Sequence, residues 1–139
     1  MSVFFDSNVL VYRFDYSVPA KQAVAKQLVD SAFEAGNAML STQCLQEFYH
    51  VATRKFRMPS ADAMGFARAY AKAKVVTVSP DVVFLAMERH ATGNFSFWDA
   101  LIVESALAGG ARVLYSEDMH DGLQIGPLTI RNPFAEQVQ

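Results

Sequence analysis

The chain has 139 residues but only one cysteine, Cys44, and three histidines. A single cysteine excludes an internal disulfide, a zinc site built from several thiolates and a CxxC redox motif. We therefore interpret Cys44 as a small buried apolar side chain. The cysteine usage also favours a reducing compartment, so we expect a cytoplasmic protein.

Long hydrophobic runs and a large excess of one charge are also missing. No apolar run approaches the length of a membrane-spanning helix, which needs about 18 residues. We therefore expect no membrane partner. The 12 Lys and Arg residues nearly balance the 14 Asp and Glu residues, for a net charge of −2. This balance excludes a protein that coats nucleic acid by bulk charge, but it allows a local acidic site with a separate basic rim.

What the sequence does contain is enough apolar residues for one compact core. Hydrophobic residues make up 52% of the chain and charged residues 19%, which excludes a disordered protein. Domains cluster near about 100–150 residues, so we predict a single domain over residues 1–139.

Short apolar segments alternate with stretches of helical periodicity. We predict strands at residues 3–5, 38–40, 75–78, 113–115 and 128–130. We predict helices at residues 19–35, 42–55, 59–73, 79–90 and 96–107. This order predicts an α/β fold with a parallel sheet covered by helices on both sides. The ligand site of such a sheet lies beyond the carboxyl ends of its strands.

Acidic residues occur at the places where that edge is expected. Asp6 and Asp118 follow predicted strands, while Glu47 and Asp99 lie near the starts of predicted helices. Two carboxylates about 4 Å apart repel by about 4 kcal/mol at an effective dielectric constant of 20, so such a cluster requires protons or a cation. Oxygen ligands without His or Cys favour Mg²⁺ or Mn²⁺ over zinc.

Each acid also has a purely structural interpretation. Ser96 and Asp99 fit a capping box at a helix start. Glu47 lies opposite the apolar face of its helix, which is typical of a solvated side chain. Asp6 could simply end a strand, but it lies within an apolar run, where a carboxylate requires a partner.

Four segments together resemble the PIN-domain family. They are Phe4 to Leu10, Leu45 to Phe48, Phe97 to Ile102 and Leu114 to Met119. The resemblance implies a three-layer α/β/α sandwich and a metal-dependent ribonuclease. The ligands of Mg²⁺ or Mn²⁺ that it implies are Asp6, Glu47, Asp99 and Asp118. It further implies that Asn8 and Ser116 support these acids by hydrogen bonding.

The last segment offers three acids: Glu117, Asp118 and Asp121. We favour Asp118, because the spacing from Ser116 best matches the family. Glu117 would point to the opposite side if the strand continues that far. An evident turn is the structural interpretation of all three.

Small stand-alone members of this family are most often VapC-type toxins of type II toxin–antitoxin pairs. The resemblance therefore implies an RNA substrate, a cognate antitoxin protein and a homodimer. The alternative is a non-catalytic module that binds RNA or protein. An aspartyl-phosphate phosphatase is disfavoured because Asn8 stands where its second acid is needed, and a receiver domain because no lysine follows Lys74.

RNA also requires cationic contacts, and the densest basic segment contains Arg54, Lys55 and Arg57. These side chains could bind phosphates, or they could simply be favoured by the dipole at a helix C-terminus. His120 could take part in proton transfer or be a surface residue. The aromatic residues Phe95, Phe97 and Trp98 could stack on an unpaired base, or belong to the core or a dimer contact.

Overall fold

A computed structural model describes residues 1–135; the last four residues of the predicted domain lie outside this range. Its strands are β1 (Val3–Phe5), β2 (Ala38–Ser41), β3 (Lys74–Val76), β4 (Val113–Tyr115), β5 (Gln124–Ile125) and β6 (Leu128–Arg131). They form one sheet in the order β3-β2-β1-β4-β6-β5. All neighbouring strands are parallel except β5 and β6. The predicted mostly parallel sheet is confirmed.

Helices cover the two faces of this sheet. They are α1 (Ser7–Tyr12), α2 (Pro19–Ala35), α3 (Thr42–Arg54), α4 (Ser60–Tyr70), α5 (Pro80–Thr92) and α6 (Phe97–Gly109). Helices α1 to α4 pack against one another, and α5 packs against α6. Right-handed crossovers place these two groups on opposite faces, because the chain reverses direction across the sheet after β3. The predicted α/β/α sandwich is confirmed, and no helix within residues 1–135 is long and apolar enough to cross a membrane.

The core lies on both faces of the central strands. Every residue of β1 and β2 is buried, as expected for strands covered by helices on both sides. Cys44 is fully buried in this core, where its Sγ donates to the Phe5 carbonyl oxygen at 3.4 Å. The interpretation of Cys44 as a buried apolar side chain is therefore confirmed.

Several element ends differ from the predictions by one to three residues, among them the end of α4 at Tyr70 instead of residue 73. Three further differences have a clear local reason. Helix α1 was not predicted, because it is only six residues long and its Asp6 cap lies next to a predicted strand. Strand β5 was missed because its two residues are defined by pairing with β6. Strand β3 ends at Val76 instead of residue 78, since the Val78 N–H donates to Thr42 Oγ1 (3.2 Å) instead of extending the strand.

Candidate active site

The acidic residues lie where the strand order reverses. Strands β1 and β4 are neighbours, and the chain continues from β1 to β2 on one side but from β4 to β5 and β6 on the other side. Asp6 directly follows β1 and Ser116 directly follows β4. The Asp6 N–H donates to the Tyr115 carbonyl oxygen at 3.0 Å, which holds these two strand ends together. Such a switch point is the usual ligand site of an open parallel sheet.

Asp6 is the central carboxylate of the site and only 4% of its surface is exposed. It caps α1, with Oδ1 accepting from the Ser7 N–H (2.7 Å) and Oδ2 accepting from Ser116 Oγ (2.8 Å). Burial raises the pKa of Asp6 from 3.8 to about 7; the two hydrogen bonds oppose this rise, and the charges of Glu47 and Asp99 add to it. None of the ion pairs within residues 1–135 involves Asp6.

Glu47 reaches the site because α1 packs on α3. Its Oε1 accepts from Ser7 Oγ at 2.9 Å, and the same hydroxyl lies 3.4 Å from Asp6 Oδ1. Ser7 thus joins two carboxylates that are far apart in the sequence. Glu47 is partly exposed, but it faces the other acids and not only solvent.

Asp118 is connected to Asp6 through two polar side chains. Asn8 Nδ2 donates to Asp118 Oδ2 (3.1 Å) and to Ser116 Oγ (3.4 Å). Ser116 Oγ also accepts from the Asp118 N–H at 3.2 Å. The structure therefore places Asn8 and Ser116 between Asp6 and Asp118, where they fix the orientation of both acids.

Asp99 completes the group from the first turn of α6. Its N–H donates to Ser96 Oγ (3.1 Å), so the predicted cap at Ser96 is confirmed. The Asp99 carboxyl lines a cavity of about 430 Å³ together with Asp118. Burial, followed by the charges of Asp118 and Glu47, raises the pKa of Asp99. The charges of these carboxyl groups therefore influence one another. We call the four of them the acidic site; they belong to Asp6, Glu47, Asp99 and Asp118.

The acidic site offers the type of donor atom that hard divalent cations prefer. Its available donor atoms are oxygens, and the raised pKa values of Asp6 and Asp99 reflect negative charge that burial leaves poorly solvated. Within residues 1–135, no group of three or more Asp, Glu, His or Cys side chains is placed so that it could hold a metal ion as a cage of protein ligands. Mg²⁺ does not require such a cage, because it retains several waters and binds through one or two carboxylates.

The other two candidates from the last segment point elsewhere. Glu117 accepts from Tyr12 Oη (2.7 Å) and from Lys21 Nζ (2.6 Å), on the side away from Asp118. Asp121 Oδ1 accepts from the Asn132 N–H at 2.9 Å. Both acids have structural partners, and of the three only Asp118 lies in the acidic site.

The basic segment lies at the far end of the helix that carries Glu47. Arg54 is seven residues beyond Glu47, which places it about 10 Å along α3 on the same face. A depression of about 400 Å³ lies beside Glu47 and is lined by Ser7, Glu47 and His50, among others. Lys55 and Arg57 are also exposed, and Lys55 Nζ lies 3.9 Å from Asp15 Oδ2.

Two residues of the site were not predicted from the sequence. Ser7 bridges Asp6 and Glu47, and its position directly after Asp6 was the one available signal. Gln43 is buried at the start of α3, and its Nε2 donates to the Trp98 carbonyl oxygen at 3.3 Å. This contact ties α3 to the first turn of α6, beside Asp99. Nothing in the local sequence indicates it.

Comparisons with known proteins agree with this fold. A family model described as PIN domain matches residues 3–120. No curated protein matches the chain. Three similar solved structures are described as a toxin–antitoxin complex from Klebsiella pneumoniae, the sarcin–ricin loop cleaving toxin VapC20 from Mycobacterium tuberculosis, and VapBC2 from Rickettsia felis bound to a promoter DNA fragment.

These structures share the fold with the chain over most of their length. The Klebsiella structure is 21% identical with a TM-score of 0.67, covering 95% of this chain and 98% of its own. The Mycobacterium structure is 24% identical with a TM-score of 0.66, covering 81% and 87%. The Rickettsia structure is 18% identical with a TM-score of 0.60, covering 95% and 98%.

Proposed function

The chain belongs to the PIN-domain family, whose model spans 3–120 of its 139 residues, and we propose that it is a metal-dependent endoribonuclease. The observation that carries this proposal is the hydrogen-bonded series from Glu47 through Ser7, Asp6, Ser116 and Asn8 to Asp118. A series of this kind holds carboxylates close together despite their repulsion, which is useful to a protein that binds a cation there.

Three groups of residues would have different roles in phosphodiester hydrolysis: binding the cation, orienting the carboxylates and contacting phosphates. Asp99 and Asp118, which line one open cavity, would hold Mg²⁺ or Mn²⁺ together with Asp6 and Glu47. A bound ion of this kind stabilises negative charge in the transition state and lowers the pKa of water. Ser7, Asn8 and Ser116 keep the carboxylates oriented. Because the acidic site repels RNA, the exposed Arg54, Lys55 and Arg57 supply phosphate contacts.

We expect purified protein to cleave RNA in Mg²⁺ or Mn²⁺ and to lose this activity in EDTA. The measurement is gel analysis of total RNA and transfer RNA after incubation with each metal or with the chelator. Cleavage that persists unchanged in EDTA would contradict the metal dependence. Metal binding without cleavage of any RNA would instead favour the alternative, a non-catalytic RNA- or protein-binding module.

The biological role that we propose is the toxin of a type II toxin–antitoxin pair. It is supported by the family and by similar structures that are described as toxin–antitoxin and VapBC complexes. The partners would be RNA, a protein antitoxin and a second copy of the chain. The homodimer is supported by exposed apolar side chains on α5, namely Phe84, Leu85 and Met87.

Induced expression in a bacterial host is expected to arrest growth, because an unopposed endoribonuclease depletes essential RNA. Asp6→Asn should restore growth at the same protein level. The measurement is culture density after induction, with immunoblotting to match the expression of the two forms. Equal growth of the two strains would remove the toxin role and leave the nuclease proposal intact.

A further inference from the structure

The cavity beside the acidic site extends beyond the carboxylates. Asp99 and Asp118 line one part of its volume of about 430 Å³. Phe95, Met119 and Leu123 form an apolar part of the lining. Its size lies in the range of about 300–1,000 Å³ that is usual for small-molecule sites. We call this space the Phe95 cavity.

Charge decides which part of a nucleic acid could enter the Phe95 cavity. Its two carboxylates, Asp99 and Asp118, are the groups that would hold the cation, and the rest of the described lining contains no Lys or Arg that could bind a phosphate. An uncharged group with apolar faces and a polar edge fits the lining better. Asn94 and His120, both exposed at the cavity, can each donate and accept hydrogen bonds.

We propose that the Phe95 cavity binds an unpaired nucleobase of the RNA, adjacent to the phosphodiester held at the acidic site. This inference rests on the proposed nuclease function and adds a specificity site to it. The base packs against the apolar lining formed by Phe95, Met119 and Leu123. Asn94 and His120 contact its polar edge. The bases of single-stranded RNA are recognised in this way, by packing on side chains and hydrogen bonding at their edges.

The apolar side of the Phe95 cavity is anchored in the core of the molecule. Phe95 is half-buried and packs against both hydrophobic clusters of the molecule. His90 Nδ1 donates to the Phe95 carbonyl oxygen at 2.9 Å, which fixes the backbone at this point. Met119 is buried at 7% exposure. An anchored apolar surface can select among bases, because little of its conformational freedom is lost when one binds.

The two interpretations that the sequence left open for Phe95 are therefore compatible. Its ring contributes to the core and also lines a cavity that opens beside the acids. His120 is likewise exposed, as a surface residue would be, yet it lines the same space as Asp118. The sequence does not indicate that these residues are neighbours, because Phe95 precedes α6 and His120 follows β4.

The test uses wild-type protein in Mg²⁺ and the four nucleoside 5′-monophosphates, which contain no internucleotide bond to cleave. We expect saturable shifts of the Met119 ε-methyl NMR signal that differ among the bases. Ribose 5-phosphate, which lacks a base, should leave that signal unchanged. Asn94→Ala and His120→Ala are each expected to weaken binding about tenfold, the equivalent of one hydrogen bond to the base. Gln27→Ala, which removes an exposed amide on α2, is the matched control and should bind normally.

Three outcomes would overturn the inference: no saturable shift with any nucleotide, the same shift with ribose 5-phosphate, or unchanged affinity in both cavity variants. RNA cleavage separates this failure from failure of the proposed function. Metal-dependent cleavage at the same nucleotides in wild type, Asn94→Ala and His120→Ala would refute the cavity's role alone. Base-selective nucleotide binding without any RNA cleavage would refute the nuclease and retain the nucleotide site.

Discussion

Asp99→Asn is expected to lower metal-dependent RNA cleavage by about 10²–10³-fold, since ion-mediated charge stabilisation contributes several kcal/mol to such reactions. Asn has nearly the shape of Asp but lacks the negative charge that would hold the cation. The α6 cap should survive, because it uses the Asp99 backbone N–H and Ser96 Oγ. The measurement is the cleavage rate at saturating metal, with circular dichroism to verify the fold.

Asp121→Asn is the matched control for this experiment. Asp121 follows the same strand as Asp118, but its side chain accepts from the Asn132 N–H, which an Asn carbonyl can also do. Its cleavage rate should stay within about twofold of wild type. Full activity of a folded Asp99→Asn protein would refute the role assigned to Asp99. Equal loss of activity in both variants would show that the overall negative charge of the protein, and not the acidic site in particular, supports cleavage.

Asp6→Asn is expected to stabilise the metal-free protein at pH 8, although it should abolish cleavage. The pKa of Asp6 is about 7 in the folded protein and 3.8 for a free side chain. Between these pH values the folded state keeps a proton that the unfolded state releases. The stability contributed by protonated Asp6 is therefore complete below pH 4 and is lost as pH rises through about 7.

The magnitude follows from the same pKa difference. A pKa of about 7 in place of 3.8 means that ionised Asp6 lowers the free energy of unfolding by about 4 kcal/mol above pH 7, as an upper limit. Asn avoids this penalty but offers one acceptor oxygen in place of two, and Ser7 N–H and Ser116 Oγ both donate to Asp6. The loss of one hydrogen bond costs about 1 kcal/mol, so we expect a net gain of about 1–3 kcal/mol.

Urea denaturation in EDTA at pH 5 and pH 8 measures this effect. Wild type should be less stable at pH 8, and Asp6→Asn should depend less on pH. Asp30→Asn is a control of opposite sign, because the Arg13 guanidinium lowers the pKa of Asp30 and its charge is stabilising. Equal stability of the wild-type protein at both pH values would refute the raised pKa of Asp6. So would an Asp6→Asn protein that is less stable than wild type at pH 8.

The predicted elements match where local signals are strong. Helix α2 begins at Pro19 and ends at Ala35, where it is capped by Gly36, whose φ of 72° suits glycine. Strands β1 and β4 match their predictions at both ends. The failures are short or depend on distant partners, as in α1 and β5. A six-residue helix and a two-residue strand have too little sequence for a periodic pattern to be recognised.

The sequence by itself determined the type of each long element, the parallel arrangement and the positions of the four acids along the chain. These properties depend on periodicity, on helix caps and on the alternation of strands and helices along the chain, all of which can be read from the sequence. Only the tertiary structure decided that Ser7 joins Asp6 to Glu47, that Glu117 turns toward Lys21, and that a cavity adjoins the acids. Such relations depend on distances between residues far apart in the chain, and helix packing on the sheet sets those distances.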